Sequence, residues 1–340
     1  MKKKKILKVI LRIFLVLFTT VLLLAGAVVG VVYVILCGPS LSAQELLTRS
    51  LKETSAMGFV PDLFLSEERI NEIMVVSEEE LPAEEIDTSL VTIAATQQDR
   101  DEETSGGTAV EEEEDIEFVE ITGASYRGIM MIVKDPTRLF VGTPDRFGDV
   151  GLTLEEMVEK YDAVGGVNGG GFYDPNGSGE GGIPTGIVIT NGEMTYGNYA
   201  TYSSVIGFDA DGILHVGNMT GAEAQERNLQ WACSFGPALV INGEASTDPR
   251  ISSSGVNPRT AVGQRADGAV LLLVVDGRQV TSLGATFEDL ISIMLEHGAV
   301  NASNLDGGSS SQMIYNDETL NINASVIGLR PLPTTFLVSK

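Results

Sequence analysis

The hydrophobic pattern begins with a long apolar stretch directly after a basic start. Residues 13–36 are 24 consecutive positions without a charge. As a helix rising about 1.5 Å per residue, they would span about 36 Å, enough to cross a bilayer core. The basic residues within 1–12 should stay in the cytoplasm, which leaves everything after Leu36 outside. This pattern predicts a single-pass plasma-membrane anchor with an extracellular main domain. A cleaved signal peptide is the alternative, because Ala25-Gly26-Ala27 offers the small residues of a cleavage site.

The next two segments differ from each other in polarity. In residues 37–76, apolar positions recur at helical spacing with breaks near Gly58 and Pro61, which predicts a helical stalk. A dimerising stalk, a membrane-surface helix and simple packing against the domain all fit this pattern. Residues 77–115 are rich in Glu and Asp and too poor in apolar side chains to form a core. They are therefore predicted to be an acidic, disordered or extended linker.

From residue 116 to residue 340, short β-branched runs alternate with turn residues, as is typical of a strand-rich domain. Thr153 is the expected N-cap of one helix, and Thr286 with Asp289 forms a capping box for another. The predicted fold class is α+β (mixed α/β) with mixed sheets and two main helices. The helices are expected near 153–162 and 287–297. The strands are expected near 116–121, 127–134, 138–143, 186–191, 204–209, 213–217, 238–242, 260–265, 269–275 and 311–316.

Two pairs of segments within this domain resemble each other. Gly186–Glu193 is similar to Ala238–Glu244, and Val205–Gly212 is similar to Ala261–Gly268. Each contains Asn-Gly or Asp-Gly, which favours a tight hairpin turn. A duplicated strand–turn–strand core and the general likeness of hairpins are both open explanations. If the core is duplicated, a cleft between its halves is a natural ligand site.

Charge and composition exclude several functions. The formal net charge is −25, from 47 acidic and 22 basic side chains, and 17 of the acidic residues lie within 77–120. This balance argues against a nucleic-acid partner, which needs clustered cations. Two cysteines and two histidines argue against a disulfide framework, a thiolate zinc site and a His-based metal centre. No cofactor is expected, and the oligomeric state is left open.

Three polar, glycine-rich segments are the candidates for chemistry: 165–174, 257–260 and 304–311. Glycine runs allow close backbone approach and expose amide N–H groups to an anion. Arg259 offers a bidentate fork for phosphate or carboxylate. Asp306 follows an apolar strand that would deliver its carboxylate into a loop. None of these segments is a P-loop or a dinucleotide fingerprint, and the Ser309–Ser311 run lacks a nucleophile elbow.

One segment has the spacing of a calcium loop. Asp174, Asn176, Ser178 and Gly179 match its first positions, but position twelve is Thr185 instead of the bidentate Glu. A mobile loop over a site is the other interpretation, and it is the one that we favour.

Taken together, these motifs resemble the phosphodiester glycosidase family. The similarity covers roughly residues 120–338, which leaves the anchor and the acidic linker outside it. It rests on Asn168–Tyr173, Gly182–Gly186, Asn191–Glu193, Gly236-Pro237, Pro258–Gly263, Asp276–Arg278 and Asn304–Ser310. The resemblance implies hydrolysis of a sugar-1-phosphodiester at the anomeric C–O bond. For a surface-tethered bacterial member, the substrate would be a cell-envelope glycan or an exopolysaccharide.

The resemblance also implies roles for individual residues. The leaving phosphate needs charge stabilisation more than protonation, which fits Arg259 and Arg278 with the amides of Gly307 and Gly308. Asp306 is the first choice for acting at the anomeric carbon, and Asp276 is the second, as base or as partner of Arg259. Asn168 is expected to orient a hydroxyl or carboxylate, and Tyr173 to stack on a sugar. The other expected substrate contacts are Gly170, Thr260, Asn304 and Ser309.

Two alternatives remain at this point. In one, the domain is a non-catalytic envelope module that binds anionic phosphoglycans during polysaccharide assembly, and Asp306 is then dispensable. In the other, the chain is a membrane-tethered structural partner that works through its stalk. The concentration of polar residues in the glycine-rich segments argues against the latter.

Overall fold

The fold is known from a computed structural model, which describes residues 2–54, 57–74, 85–93, 115–175, 179–325 and 328–340. Contacts within the chain divide it into two compact units, Met1–Val75 and Val76–Lys340. Most of the predicted acidic linker, residues 77–84 and 94–114, lies outside the described residues.

The first unit is helical. Helix α1 (Lys2–Cys37) contains the apolar stretch, and its segment Ile6–Cys37 has a mean hydropathy of 2.7. Its apolar side chains are mostly exposed, and Leu36 at its end is buried. Among the described residues, α1 is the one helix long and apolar enough to cross a membrane. Helices α2 (Leu41–Lys52) and α3 (Glu67–Met74) follow it. Arg69 on α3 donates to Gln44 at 2.9 Å and pairs with Glu45 at 3.0 Å, which holds the two short helices together.

The second unit contains three helices and seventeen strands among its described residues. The α+β class is confirmed, and so are the two main helices with the expected N-cap at Thr153 and the expected capping box at Thr286. Thr153 also forms a capping box, with Glu156. The helices are α4 (Leu154–Tyr161), α5 (Gly221–Glu226) and α6 (Phe287–Glu296). The strands are β1 (Ile116–Thr122), β2 (Arg127–Val133), β3 (Leu139–Gly142), β4 (Ala163–Asn168), β5 (Val188–Thr190), β6 (Glu193–Tyr196), β7 (Tyr202–Asp209), β8 (Leu214–Thr220), β9 (Leu229–Ser234), β10 (Ala238–Ile241), β11 (Glu244–Ala245), β12 (Arg259–Arg265), β13 (Val270–Val275), β14 (Ala299–Leu305), β15 (Met313–Tyr315), β16 (Glu318–Thr319) and β17 (Thr335–Ser339).

These strands form three sheets in which every described pair is antiparallel, so the prediction of mixed sheets was wrong. The first has the order β1-β2-β13-β12-β14-β10-β11, the second β16-β15-β4-β17-β3, and the third β6-β5-β9-β7-β8. Every residue of β13 is buried, because this strand lies inside the seven-stranded sheet with both faces covered. The core cluster includes Val167, Phe208, Leu272 and Phe336, which come from all three sheets.

The topology confirms an internal duplication. The first repeat runs β5-β6-β7-β8-α5-β9, and the second runs β10-β11-β12-β13-α6-β14. In each repeat, the last strand lies between the two hairpins of its sheet. The pairing agrees residue by residue: Gly207 faces Ala232 in the first repeat, and Gly263 faces Ala302 in the second. By this register, Gly236 occupies in the first repeat the place that Asp306 occupies in the second.

The sheets share two ends. At one, called here the site end, lie the paired residues Asn168 and Thr335, and Thr260 and Leu305. The other is called the turn end, and it carries the hairpin turns at 209–213, 242–243 and 265–269. All three glycine-rich segments therefore meet at the site end.

Residues 85–93, called here the strap, are folded onto the turn end. Asn242 accepts a hydrogen bond from Asp87 N–H at 2.8 Å and donates to the Glu85 carbonyl at 3.0 Å. Ile86 and Val91 are buried. The strap belongs to the domain because its apolar side chains find a surface there, although it lies within the segment predicted as linker.

Candidate active site

A buried amide organises the site end. Asn168, the last residue of β4, is completely buried. Its Nδ2 donates to the Asp306 carbonyl at 2.6 Å, and its Oδ1 accepts from Thr260 Oγ1 at 2.8 Å and from Gln312 N–H at 3.1 Å. These contacts use the whole hydrogen-bonding capacity of the side chain except one N–H. The Asn168 side chain therefore contacts Thr260, Gln312 and the Asp306 backbone, and thereby ties β4 to the loop after β14.

Asp306 follows β14 directly and is half-buried at the site end. Its N–H donates to the Gly169 carbonyl at 3.0 Å, and its Oδ1 accepts from Gly307 N–H at 2.9 Å. Burial raises the pKa of Asp306 to about 6, against the lowering effects of the Ser310 hydroxyl, Gly307 N–H and Arg330. A carboxyl group fixed by backbone and tuned toward neutral pH is typical of catalytic acids and bases.

An ion pair lies within electrostatic reach of Asp306. Arg330 binds Asp174 Oδ2 at 2.9 Å and the Gly179 carbonyl at 3.1 Å, and its guanidinium lies 5.0 Å from the Phe172 ring centre. Burial alone would raise the pKa of Asp174, but the hydrogen bonds from Arg330 and Gly179 N–H outweigh it and lower that pKa. Asp174 is thus held ionised while Asp306 titrates higher, so the two carboxyl groups are suited to different tasks.

The guanidinium group of Arg259 is bound by other groups of the protein. The side chain is buried, and its guanidinium donates to the Ala285 carbonyl at 3.2 Å and the Gly255 carbonyl at 2.7 Å. It also stacks on Phe287, 4.2 Å from the ring centre. In this arrangement Arg259 fixes the loop before β12 to the start of α6.

The loop after Asp306 places a different arginine near the site. Arg278 is exposed, and its Nη2 lies 3.2 Å from the position that a Cβ on Gly308 would take. The same nitrogen donates to Asn257 Oδ1 at 3.1 Å. The two loop amides have protein acceptors, since Gly307 N–H donates to the Asp306 carboxylate and Gly308 N–H to the Pro258 carbonyl at 2.9 Å.

Asp276 lies beside this loop and is half-buried at the end of β13. Its Oδ1 accepts from Asn321 Nδ2 at 3.2 Å and from Ile322 N–H at 3.0 Å. Burial raises the pKa of Asp276, and those two hydrogen bonds act in the opposite direction. Asn321 also donates to the Ser311 carbonyl at 3.2 Å, so Asp276 supports the serine turn that follows Asp306.

The remaining residues predicted to contact the substrate differ in their solvent exposure. Tyr173 is 62% exposed at the mouth of the site, and Ser309 is half-buried with its carbonyl accepting from Asn323. Gly170 is buried, and its N–H donates to Thr334 Oγ1 at 2.8 Å. Asn304 is completely buried and donates to the Gly236 carbonyl at 2.8 Å, which connects the two repeats. Among these four residues, Tyr173 and Ser309 are the ones accessible to a ligand.

The calcium-loop candidate falls partly outside the described residues, which omit Asn176 and Ser178. Both carboxylate oxygens of Asp174 accept hydrogen bonds, from Gly179 N–H and from Arg330. Within the described part of the chain, there is no group of three or more acidic, histidine or cysteine side chains that could hold a metal ion.

Comparison with known proteins bears on this arrangement. A family model described as phosphodiester glycosidase matches residues 161–339, which include both repeats and Asp306. The chain belongs to the phosphodiester glycosidase family. The catalytic domain of zebrafish N-acetylglucosamine-1-phosphodiester alpha-N-acetylglucosaminidase, auto-inhibited by its pro-peptide, has the same fold. The TM-score is 0.56 at 21% identity, over 68% of this chain and 85% of that one.

Two curated relatives show how far the similarity extends. The SPbeta prophage-derived uncharacterized protein YomE of Bacillus subtilis (strain 168) is 30% identical over 197 residues, covering 55% of this chain and 29% of the relative. The N-acetylglucosamine-1-phosphodiester alpha-N-acetylglucosaminidase of Bos taurus is 25% identical over 181 residues, covering 48% of this chain and 33% of the relative. The chain therefore spans about a third of the length of these relatives.

Sequence reasoning missed Arg330, Ser310 and Gln312 as parts of the site. Arg330 lies in the Pro-flanked segment before β17, and the chain after Arg278 has only this arginine and Lys340 as basic residues. The scarcity of basic residues in this part of the chain was a sequence signal that could have marked Arg330 as a candidate site residue. Gln312 and Ser310 carry no comparable pattern, because their roles depend on Asn168 and Asp306, which come from distant strands.

Proposed function

We propose that this phosphodiester glycosidase hydrolyses a sugar-1-phosphodiester, with Asp306 acting at the anomeric carbon. The observation that carries the proposal is the setting of Asp306. It is a half-buried carboxyl group with a pKa of about 6, fixed by Gly169 and Gly307, at the end where the two repeats meet. Above that pKa the group is a carboxylate in a poorly solvated position, where it interacts strongly with developing positive charge.

The reaction breaks the bond between the anomeric carbon and the phosphate oxygen. The bonding electrons leave with the phosphate monoester, and the sugar develops oxocarbenium character that the Asp306 carboxylate stabilises or attacks. Water supplies the hydroxyl group of the new reducing sugar, and its proton is released. Because the leaving phosphate is a weak base, the protein mainly has to neutralise its charge.

Arg278 and Arg330 are the arginines that we assign to the phosphate side. Arg278 is exposed beside Gly308. The charge of Arg330 lowers the pKa of Asp306, and an ion pair with Asp174 holds Arg330 in place. Guanidinium groups match phosphate oxygens in a bidentate geometry. Arg259 supports the site indirectly, since backbone carbonyls and Phe287 engage it.

The test is release of free reducing sugar by the full-length protein in a non-glycosidic detergent. The substrates are UDP-N-acetylglucosamine and N-acetylglucosamine-phospho-methylmannose. We expect Asp306→Asn to lower the rate at least about 100-fold. The matched control is Asp211→Asn, an exposed aspartate in a hairpin turn at the turn end, and it should keep full activity. No release from either substrate, with phosphoglycan binding that needs Arg278 but not Asp306, would instead indicate a binding module.

We also propose that α1 anchors the chain in the plasma membrane with the domain outside, where envelope glycan or exopolysaccharide is available. The support is the apolar length of Ile6–Cys37 and the basic residues before it. A single cysteine introduced at exposed Asp211, in a Cys37→Ala background, tests the topology. A membrane-impermeant maleimide should label it on intact cells. Labelling only after cell lysis would contradict the proposal.

A further inference from the structure

We propose that a groove on the first repeat binds uncharged saccharide units of the substrate. The proposal rests on the function proposed above and extends it to the glycan beyond the reacting sugar. The groove has a volume of about 830 Å³ and lies at the site end beside β6 and β7. Its lining is Pro184, Gly186, Ile187, Met194, Thr195, Tyr196, Gly197, Asn198, Tyr199, Thr201 and Ser203.

The chemistry of the lining selects neutral sugars. No lining residue is charged, although Asp and Glu outnumber Lys and Arg in the chain. Tyr196, Tyr199 and three hydroxyl-bearing residues, Thr195, Thr201 and Ser203, line the same space. Aromatic rings offer apolar faces with a polar edge, which suits sugars that have both C–H faces and hydroxyl groups. Tyr199 is 53% exposed and is therefore accessible to such a ligand.

A short series of contacts links the wall of the groove to the backbone that holds Asp306. Gly186 forms part of its wall and packs against Ser234, whose carbonyl accepts from Gly171 N–H at 3.0 Å. Gly169, two residues earlier, accepts from Asp306 N–H at 3.0 Å. Two residues span at most roughly 7 Å, so the same short glycine segment contacts both the groove wall and the Asp306 backbone. We place the saccharide units next to the reacting sugar in this groove.

Comparison of the two repeats shows that the neutral lining of the groove is particular to the first repeat. It is built partly by the connection between β6 and β7, residues 197–201. The equivalent connection in the second repeat, residues 246–258, carries Asp248 and Arg250 and leads into Arg259. Arg250 Nη1 lies 3.7 Å from the position of a Cβ on Gly236, at the site end. The two copies of one motif thus present neutral groups on one side and charged groups on the other. This difference leaves the neutral groove in the first repeat, whereas Arg278, which we assign to phosphate, follows β13 of the second repeat.

The experiment measures binding without catalysis. The full-length protein, in a non-glycosidic detergent, is titrated with four neutral tetrasaccharides, built from N-acetylglucosamine, glucose, mannose or galactose. At least one should bind, and Tyr199→Ala should weaken that binding about tenfold or more. Tyr199→Phe separates the phenol hydrogen bond from stacking. Tyr202→Ala is the matched control, because this tyrosine is 58% exposed on β7 but does not line the groove.

The binding experiment distinguishes failure of the groove proposal from failure of the proposed hydrolase activity. Asp306→Asn should bind the tetrasaccharide like the parent protein. Binding that depends on Tyr199, without hydrolysis of any sugar phosphodiester, would uphold the groove and refute the hydrolase. Hydrolysis without binding of any of the four sugars would refute the groove alone. Equal weakening by Tyr199→Ala and Tyr202→Ala would also refute it.

Discussion

At the scale of single residues, the protonation state of Asp306 controls the proposed reaction. Its pKa of about 6 is raised by burial, so the carboxylate forms only above that pH. We expect kcat/KM to rise about tenfold per pH unit below pH 6 and to level off above it. In Asp306→Asn the residual activity should show no such rise. A wild-type profile that falls on passing through pH 6 would mean that the protonated form is the active one.

The same pKa has a consequence for stability. A carboxyl whose folded-state pKa is above its unfolded value binds its proton more tightly in the folded state, so its contribution to stability is highest at low pH. That contribution is lost as the pH rises from about 4 to about 6. Asp306→Asn should therefore be more stable than the parent protein at pH 8, by at most about 3 kcal/mol. Thermal unfolding at pH 8 and pH 4 measures this. An advantage equally large at pH 4 would contradict the electrostatic cause.

The two arginines predicted from sequence should differ in what their replacement changes: stability for Arg259 and catalysis for Arg278. Arg259→Ala leaves the Ala285 and Gly255 carbonyls without their buried donor, which we expect to cost about 3 kcal/mol of unfolding free energy. Arg278→Ala removes an exposed cation beside Gly308 and should lower kcat/KM about 10- to 100-fold with little change in stability. Unfolding curves and kinetics of both variants provide the comparison. A stable Arg259→Ala protein with poor phosphodiester affinity would return the phosphate role to Arg259.

At the scale of elements, sequence predicted the strands that β-branched runs mark and missed those with unusual composition. All ten predicted strands exist, as do both main helices. Strand β14 was expected only as an apolar strand before Asp306, without bounds, and it reads Ala-Val-Asn-Ala-Ser-Asn-Leu and is buried throughout. Its polar side chains donate to carbonyls far along the chain, such as that of Gly236 for Asn304. A local pattern cannot show partners of that kind, and they occur where the site is built.

Strand β4 was missed for a related reason, which can be tested. A Cβ on Gly165 would lie 2.2 Å from the Ile314 carbonyl oxygen, so close strand packing requires glycine there. We expect Gly165→Ala to lower the unfolding free energy by at least about 2 kcal/mol. The control is Gly243→Ala, where φ is +83° but the space is open, so only the backbone cost of about 1 kcal/mol applies. Equal losses in the two variants would contradict the steric account.

At the scale of the whole molecule, the chain enters the domain at the end opposite to the site. The strap and the start of β1 both lie at the turn end, whereas Asp306 and the groove lie at the site end. Of the described residues, the strap and the start of β1 therefore do not contribute to the site.

This separation predicts that strap variants change stability without changing catalysis. Ile86 is 9% exposed and Leu90 is 38% exposed in the same segment. Ile86→Ala should cost about 2 kcal/mol, which corresponds to a fall of several degrees in Tm, and Leu90→Ala should cost less than about 0.5 kcal/mol. Both variants should keep kcat/KM for a small sugar phosphodiester within about twofold, measured well below their Tm. A strap variant that is stable but catalytically impaired would mean that the turn end is coupled to Asp306 through the strands. The strap would then be part of the mechanism and not only part of the tether.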